Sequence, residues 1–102
     1  MKKINHLKIG IRTIKIEAKG LDKLAETMGN EFNNVCNKLL HTKGKIITLG
    51  IGKSGHIAKK VSATLSSTGS PSNFINAAEA LHGDIGGISK LDKVLIFSHS
   101  GE

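Results

Sequence analysis

A short β-branched run, Lys45-Ile46-Ile47-Thr48-Leu49, passes directly into Gly50-Ile51-Gly52-Lys53-Ser54-Gly55 and then into the helical periodicity of Ile57, Val61 and Leu65. An unbroken apolar run of this length predicts a buried strand. Three glycines in six residues predict a tight turn, and His56 to Ser67 predicts a helix. Strand, tight turn and helix form the first half of a parallel βαβ unit, so the chain is expected to be α/β.

The remaining segments extend that pattern. Thr68-Gly69-Ser70-Pro71 breaks the helix, and Asn73-Phe74-Ile75-Asn76 predicts a second strand. Ala77 to Leu81 suits a single helical turn leading into His82-Gly83-Asp84-Ile85-Gly86-Gly87. Asp92 opens a third strand, Lys93 to Ser98, followed by Ser98-His99-Ser100-Gly101-Glu102. Val94 to Phe97 lacks polar alternation, as expected of a strand covered on both faces. A doubly wound parallel sheet with a right-handed crossover follows, left incomplete at three strands. Such a sheet has an open apolar edge, and marginal stability as a monomer is expected.

Upstream, apolar residues recur at Ile4, Leu7, Ile11, Ile14, Ala18, Leu21, Ala25, Met28, Phe32, Val35 and Leu39. Spacings of three and four place them on one helical face. Residues 3–42 are therefore predicted helical, with a left-handed cap and restart at Gly29-Asn30. The division expected is a helical segment over 1–43 and an α/β unit over 44–102. So long a stripe needs a partner surface, on the α/β unit, on another subunit, or on both.

Of 102 residues, fifteen are Lys or Arg and eight are Asp or Glu. Residues 1–45 hold ten of the bases against four acids, and residues 46–102 hold five against four. The excess therefore lies on the helical segment. With no tyrosine or tryptophan to stack bases, and lysines spread along the helix, nucleic acid is not expected as a partner. No apolar run approaches the roughly 20 residues that span a bilayer, so no membrane partner is expected either. The basic start, Met1-Lys2-Lys3, is followed by neither an apolar core nor a cleavage site, which argues against a secretory signal. Cys36 is the single cysteine, placed in the apolar stripe as a small hydrophobe, and a reducing cytoplasm suits it. No His/Cys spacing suits a metal.

Two nucleotide motifs are tested by the glycine turn. A triphosphate P-loop needs glycine five positions before Gly52, where Ile47 stands. The dinucleotide fingerprint fits as Gly50-x-Gly52-x-x-Gly55, but its acid at the end of the second strand is replaced by Asn76. What survives is an anion cradle: Gly50 and Gly52 admit close backbone approach, the helix start near Ser54 offers N–H groups, and Lys53 adds a positive charge. Ser98 and Ser100 lie just past the third strand, where open parallel sheets bind ligands. Glu79, His82 and Asp84 form a third cluster, with His82 suited to proton transfer near neutral pH. Taken singly, each also fits a solvated loop side chain.

The segments Gly50-Ile51-Gly52-Lys53-Ser54-Gly55-His56-Ile57-Ala58, Ala63-Thr64-Leu65-Ser66-Ser67-Thr68-Gly69, Ala78-Glu79-Ala80-Leu81-His82-Gly83-Asp84-Ile85-Gly86 and Ser98-His99-Ser100-Gly101-Glu102 together resemble the sugar isomerase (SIS) domain of bacterial arabinose 5-phosphate isomerases. The resemblance is strong over 44–102 and looser before it. It implies interconversion of ribulose 5-phosphate and arabinose 5-phosphate through an enediol, on the path to the lipopolysaccharide sugar Kdo, with no cofactor. By position Lys53 matches the active-site lysine and His82 the active-site histidine. Ser98 and Ser100 match the sugar-phosphate-binding serine loop, and Gly52, Lys53 and Ser54 of the anion cradle are expected to bind the substrate with them. His99 stands where the family more usually has asparagine. The family's later acidic and histidine side chains and its tandem CBS pair are not in this sequence, so little isomerase activity is expected unless partner subunits complete the site. Glu102 is not the family's next glutamate. Homo-oligomerisation through the amino-terminal helices is expected. A non-catalytic sugar-phosphate-binding module, a nicotinamide-binding half-domain and a remnant without function stay open as alternatives.

Overall fold

A computed structural model describes residues 3–80 and 83–101, with the backbone alone at Asp84 and Ile85. The chain forms two compact units, Met1–Asn34 and Val35–Glu102.

In the first unit, α1 runs from His6 to Thr27, and the Asn5 side chain caps it by accepting from the Lys8 N–H at 3.0 Å. Met28 ends α1 in an extended conformation (φ −68°, ψ 130°). A second helix, α2, spans Glu31–Leu40, beginning in the first unit and ending in the second. The interruption thus falls where the sequence predicts it, but by different means. Gly29 is not among the glycines of positive φ, and no left-handed cap forms. Asn30 instead accepts from Asn33 Nδ2 at 3.1 Å, and its carbonyl takes the Asn34 N–H at 3.3 Å. The apolar stripe is exposed from Ile4 to Val35, including Leu7, Ile14, Leu21 and Phe32, and Leu39 is half-buried. Cys36 is exposed as well.

In the second unit, β1 (Ile46–Gly50) leads through α3 (Gly52–Ser67) to β2 (Ser72–Asn76), then α4 (Ala77–Ala80), a 3-10 turn at Asp84–Gly87, and β3 (Lys93–Ile96). The three strands are parallel in the order β2-β1-β3. Gly50 pairs with Asn76 and Leu49 with Ile96, so the three carboxyl ends lie side by side. The fold is α/β with a partial parallel sheet.

Side chains alternate across β1, and Ile46, Thr48 and Gly50 face α3. Thr48 is fully buried, and its hydroxyl donates to the Ala58 carbonyl at 2.8 Å. Ser72 continues this polar seam: its hydroxyl donates to the Ile46 carbonyl at 2.6 Å and lies 2.9 Å from the Ser62 hydroxyl. Ser66 donates to the Ser72 carbonyl at 3.1 Å. The serine-rich stretch before Gly69 therefore locks α3 to β2, a role its composition alone does not reveal. Ile46, Ile47, Ala58 and Ala80 make up the apolar core.

The expectation that β3 is covered on both faces is corrected. Val94 is 44 % exposed and Ile96 67 % exposed. As an edge strand paired only with β1, β3 has a bare flank among the described residues, whereas central β1 is buried.

Asp92 ties the start of β1 to the start of β3. Its carboxylate accepts from the Lys45 N–H at 2.7 Å and the Ser89 N–H at 2.8 Å. The Ser89 backbone bond, followed by that of Lys45, holds its pKa below the ordinary carboxylate value. A lowered folded-state pKa gives stability that is present above the unfolded value, about 4, and is lost as pH falls through the folded one. Asp92→Asn is therefore expected to lower Tm by a few degrees at pH 6. Thermal melts across pH 6 to 2 should show the gap between the two proteins closing toward the acid end.

Candidate functional site

The strand order puts the topological switch point between β1 and β3, because the chain leaves β1 toward β2 and returns on its other side. Open parallel sheets bind ligands outside their carboxyl ends at such a point. A crevice of about 530 Å³ lies there, walled by Ile51 and Ser54 of the first turn and by the loop Ser98 to Gly101, with Leu49, Ile96 and Ala77 supplying apolar surface. That volume is within the range typical of small-molecule sites.

The glycine turn is shaped by two separate demands. A Cβ on Gly50 would stand 2.8 Å from the Ser54 carbonyl oxygen, and one on Gly55 would stand 3.2 Å from that of Gly50. These glycines let the strand end press against the first turn of α3. The space at Gly50 is thus taken by the protein's own helix and not by a ligand. Gly52 is different: its φ is +59° and its surroundings are open.

Because α3 begins at Gly52, the residues Gly52, Lys53 and Ser54 form its first turn, two residues earlier than the sequence suggests. Ile51 provides no side-chain cap. The first intrahelical bond at this end is from the Gly55 N–H to the Ile51 carbonyl, 3.1 Å. Backbone donors preceding it at a helix start have no intrahelical acceptor, and they carry the positive end of the dipole. Lys53 is exposed at this end, and its side chain lines an adjoining cleft of about 510 Å³ with Ile51, Ser54, Ile57 and His99. On the opposite wall the Phe97 N–H continues the ladder to the Leu49 carbonyl at 2.8 Å, and the loop then curls. The Gly101 N–H donates to the Ser98 hydroxyl at 2.9 Å, with Gly101 at φ +84°.

Ser54, Ser98 and Ser100 are thus brought to one crevice, and Lys53 to the cleft beside it. Gly52 borders a third hollow with Gly55, His56, Lys59, Phe74 and Asn76. Glu79 is exposed on α4 and is not among the residues lining the crevice. His82 and Glu102 lie outside the described residues, and Asp84 is described by its backbone alone. At Asn76, where a dinucleotide site would have its acid, the side chain accepts from the Ala78 N–H at 2.9 Å and caps α4. The sequence reading missed Leu49, Ile96 and Ala77; strand alternation past Ile47 was the signal that could have identified the first two.

The profile of the SIS domain matches residues 39–102. The chain belongs to the SIS domain family. Over 95 residues it is 47 % identical to arabinose 5-phosphate isomerase GutQ of Escherichia coli K12, covering 93 % of this chain and 30 % of that protein. Over 90 residues it is 50 % identical to arabinose 5-phosphate isomerase KdsD of Pseudomonas aeruginosa, covering 88 % and 28 %. This SIS-family chain thus spans about 30 % of the length of the curated relatives it matches. Among solved structures, an Escherichia coli CFT073 protein in complex with arabinose 5-phosphate superposes with a TM-score of 0.82 at 36 % identity, covering 92 % of this chain and 51 % of that one. No helix among the described residues is long and apolar enough to cross a membrane.

Proposed function

We propose that the crevice between β1 and β3 binds a pentose 5-phosphate, and that the chain is the phosphate-recognition part of an arabinose 5-phosphate isomerase. The observation that carries this is the convergence, at the switch point, of an uncapped helix start, Lys53 and the curled Ser98 to Gly101 loop. Backbone N–H groups at a helix start suit phosphate oxygens, and Lys53 adds a compact positive charge. The relationship to a protein solved with arabinose 5-phosphate supports the same ligand.

In the isomerisation a proton leaves C1 of ribulose 5-phosphate as the carbonyl oxygen on C2 takes one up, giving an enediol; C2 is then protonated as the C1 hydroxyl loses its proton, and the C1 carbonyl of the aldose forms. By resemblance, Lys53 stabilises the negative charge developing on oxygen, and His82 moves the proton. Gly52, Ser54, Ser98 and Ser100 hold the substrate. No redox cofactor enters this chemistry. The proposal assigns phosphate binding to the residues around this crevice. It also places the protein in the cytoplasm, where a single free cysteine is stable.

The test is calorimetric titration of the chain with arabinose 5-phosphate and with unphosphorylated arabinose. Saturable binding of the first and none of the second is expected; equal behaviour of the two would reject the reading.

The exposed stripe of α1 and α2 supports a second copy of this chain as partner. Sedimentation should give at least twice the 10.8 kDa of one chain, and Ile14→Lys should shift the population toward monomer.

A further inference from the structure

Within α1, Leu7, Ile11, Ile14, Ala18, Leu21 and Ala25 recur at alternating spacings of four and three, and all are exposed. That is a heptad seam, the pattern of helices that pack along helices. The seam is uneven: its first three positions are bulky, and the next three include two alanines. Charge is uneven along the same axis. Residues 6–16 carry Lys8, Arg12 and Lys15 with no acid, whereas residues 17–27 carry Glu17, Asp22 and Glu26 against Lys19 and Lys23. The first turn holds no acid and the last turn no base, so the helix leaves both ends of its own dipole uncomplemented.

We propose that α1 packs antiparallel against α1 of a second copy of this chain, about a two-fold axis level with Ile16. The inference rests on the second-copy reading of the exposed stripe and adds orientation and register to it. In this register Leu7 of each copy packs on Ala25 of the other, Ile14 on Ala18, and Ile11 on Leu21, so bulky and small side chains alternate across the seam. Gly10, around which nothing lies within 4 Å, comes opposite Leu24, which is exposed. A two-fold axis across the helices lays each flank against the same flank running in reverse. Lys8 therefore meets Asp22 twice, and the acidic half of each helix lies along the basic half and the positive dipole end of the other. Against this, Lys15 meets Lys15 and Glu17 meets Glu17 near the axis; all are exposed, where screening keeps the cost small. A parallel pair in register has the opposite balance. Ala18 falls on Ala18 and Ala25 on Ala25, leaving voids, Asp22 flanks Glu17, and the two basic halves lie side by side.

The experiment combines sedimentation with dipolar distance measurement on spin labels in the 102-residue chain. Labels are attached singly through Ile9→Cys, Ile16→Cys or Lys23→Cys, on the side of α1 away from the seam, with Cys36→Ser removing the native thiol. A dimer of twice 10.8 kDa is expected, with the Ile16 labels closest and the other two pairs offset by about 21 Å along the axis. A dimer with equal separations at the three sites, or with another site closest, would overturn the antiparallel pairing and leave the second-copy reading standing. A monomer of 10.8 kDa would overturn both. As a check independent of labels, Lys8→Asp should weaken dimerisation about tenfold, and adding Asp22→Lys should restore it to within about twofold. A double variant as weak as the single one would overturn the register.

Discussion

Gly50→Ala is expected to lower the melting temperature of the α/β unit by more than about 10 °C. The Cβ would lie 2.8 Å from the Ser54 carbonyl oxygen, 2.9 Å from its carbon and 3.0 Å from the Gly55 Cα. All three are backbone atoms of the first turn of α3, so no flexible side chain can swing away. Relief requires moving the helix off the strand, and overpacking of this kind costs about 3 kcal/mol. That is a large share of the 5–15 kcal/mol typical of a domain. At 4–8 °C per kcal/mol for a domain of about this size, the shift follows. The contrast is with Gly10→Ala and Gly20→Ala in α1. There a Cβ meets nothing within 4 Å, and alanine gains about 1 kcal/mol of helix propensity. Circular dichroism melts of the three variants check the claim. An unchanged melt for Gly50→Ala would mean that the strand and helix are not pressed together at this turn.

That glycine also shows how much of the molecule was legible beforehand. The alternation of strand, turn and helix came directly from apolar runs and from the glycine cluster, because these features depend on local backbone preference. The division of labour within the cluster did not. Gly50 and Gly52 look alike in sequence, and only the packing of α3 separates a close-approach glycine from a left-handed one. Ser62, Ser66 and Ser72 read as ordinary polar residues until the βαβ fold sets them facing one another. β3 misled in the other direction. Its apolar run is what a doubly covered strand requires, yet its place at the sheet edge leaves Val94 and Ile96 exposed. Position in a sheet is a non-local property that a single strand's composition does not encode. In the site, Ser98 and Ser100 were legible as loop residues past a strand, whereas the lining of one cleft by residues of both the first turn of α3 and the loop after β3 depends on the strand order β2-β1-β3.

Removing the phosphate from the ligand is expected to weaken binding by at least about 100-fold. Hydrogen bonds to a charged group contribute about 1.5–3 kcal/mol each. Two of them, from the donors at the start of α3, amount to about 3–6 kcal/mol, and each 1.4 kcal/mol is tenfold in affinity. The sugar's hydroxyls exchange water for protein partners at little net gain, so they cannot replace that term. Lys53→Ala should cost about tenfold of the same affinity, and its effect should shrink at high salt because the side chain is exposed. The fold should be unaffected, since Lys53 is not part of the core. Calorimetry with arabinose 5-phosphate and arabinose, on the parent and Lys53→Ala, separates loss of binding from loss of structure.

The most direct test is an amide-resolved NMR titration of the 102-residue chain with arabinose 5-phosphate. Saturable shifts are expected at Gly52, Lys53 and Ser54 and at Ser98 through Gly101, with α1 unperturbed. Shifts confined to α1, or no saturable change at any amide, would contradict a sugar-phosphate site at the carboxyl ends of β1 and β3.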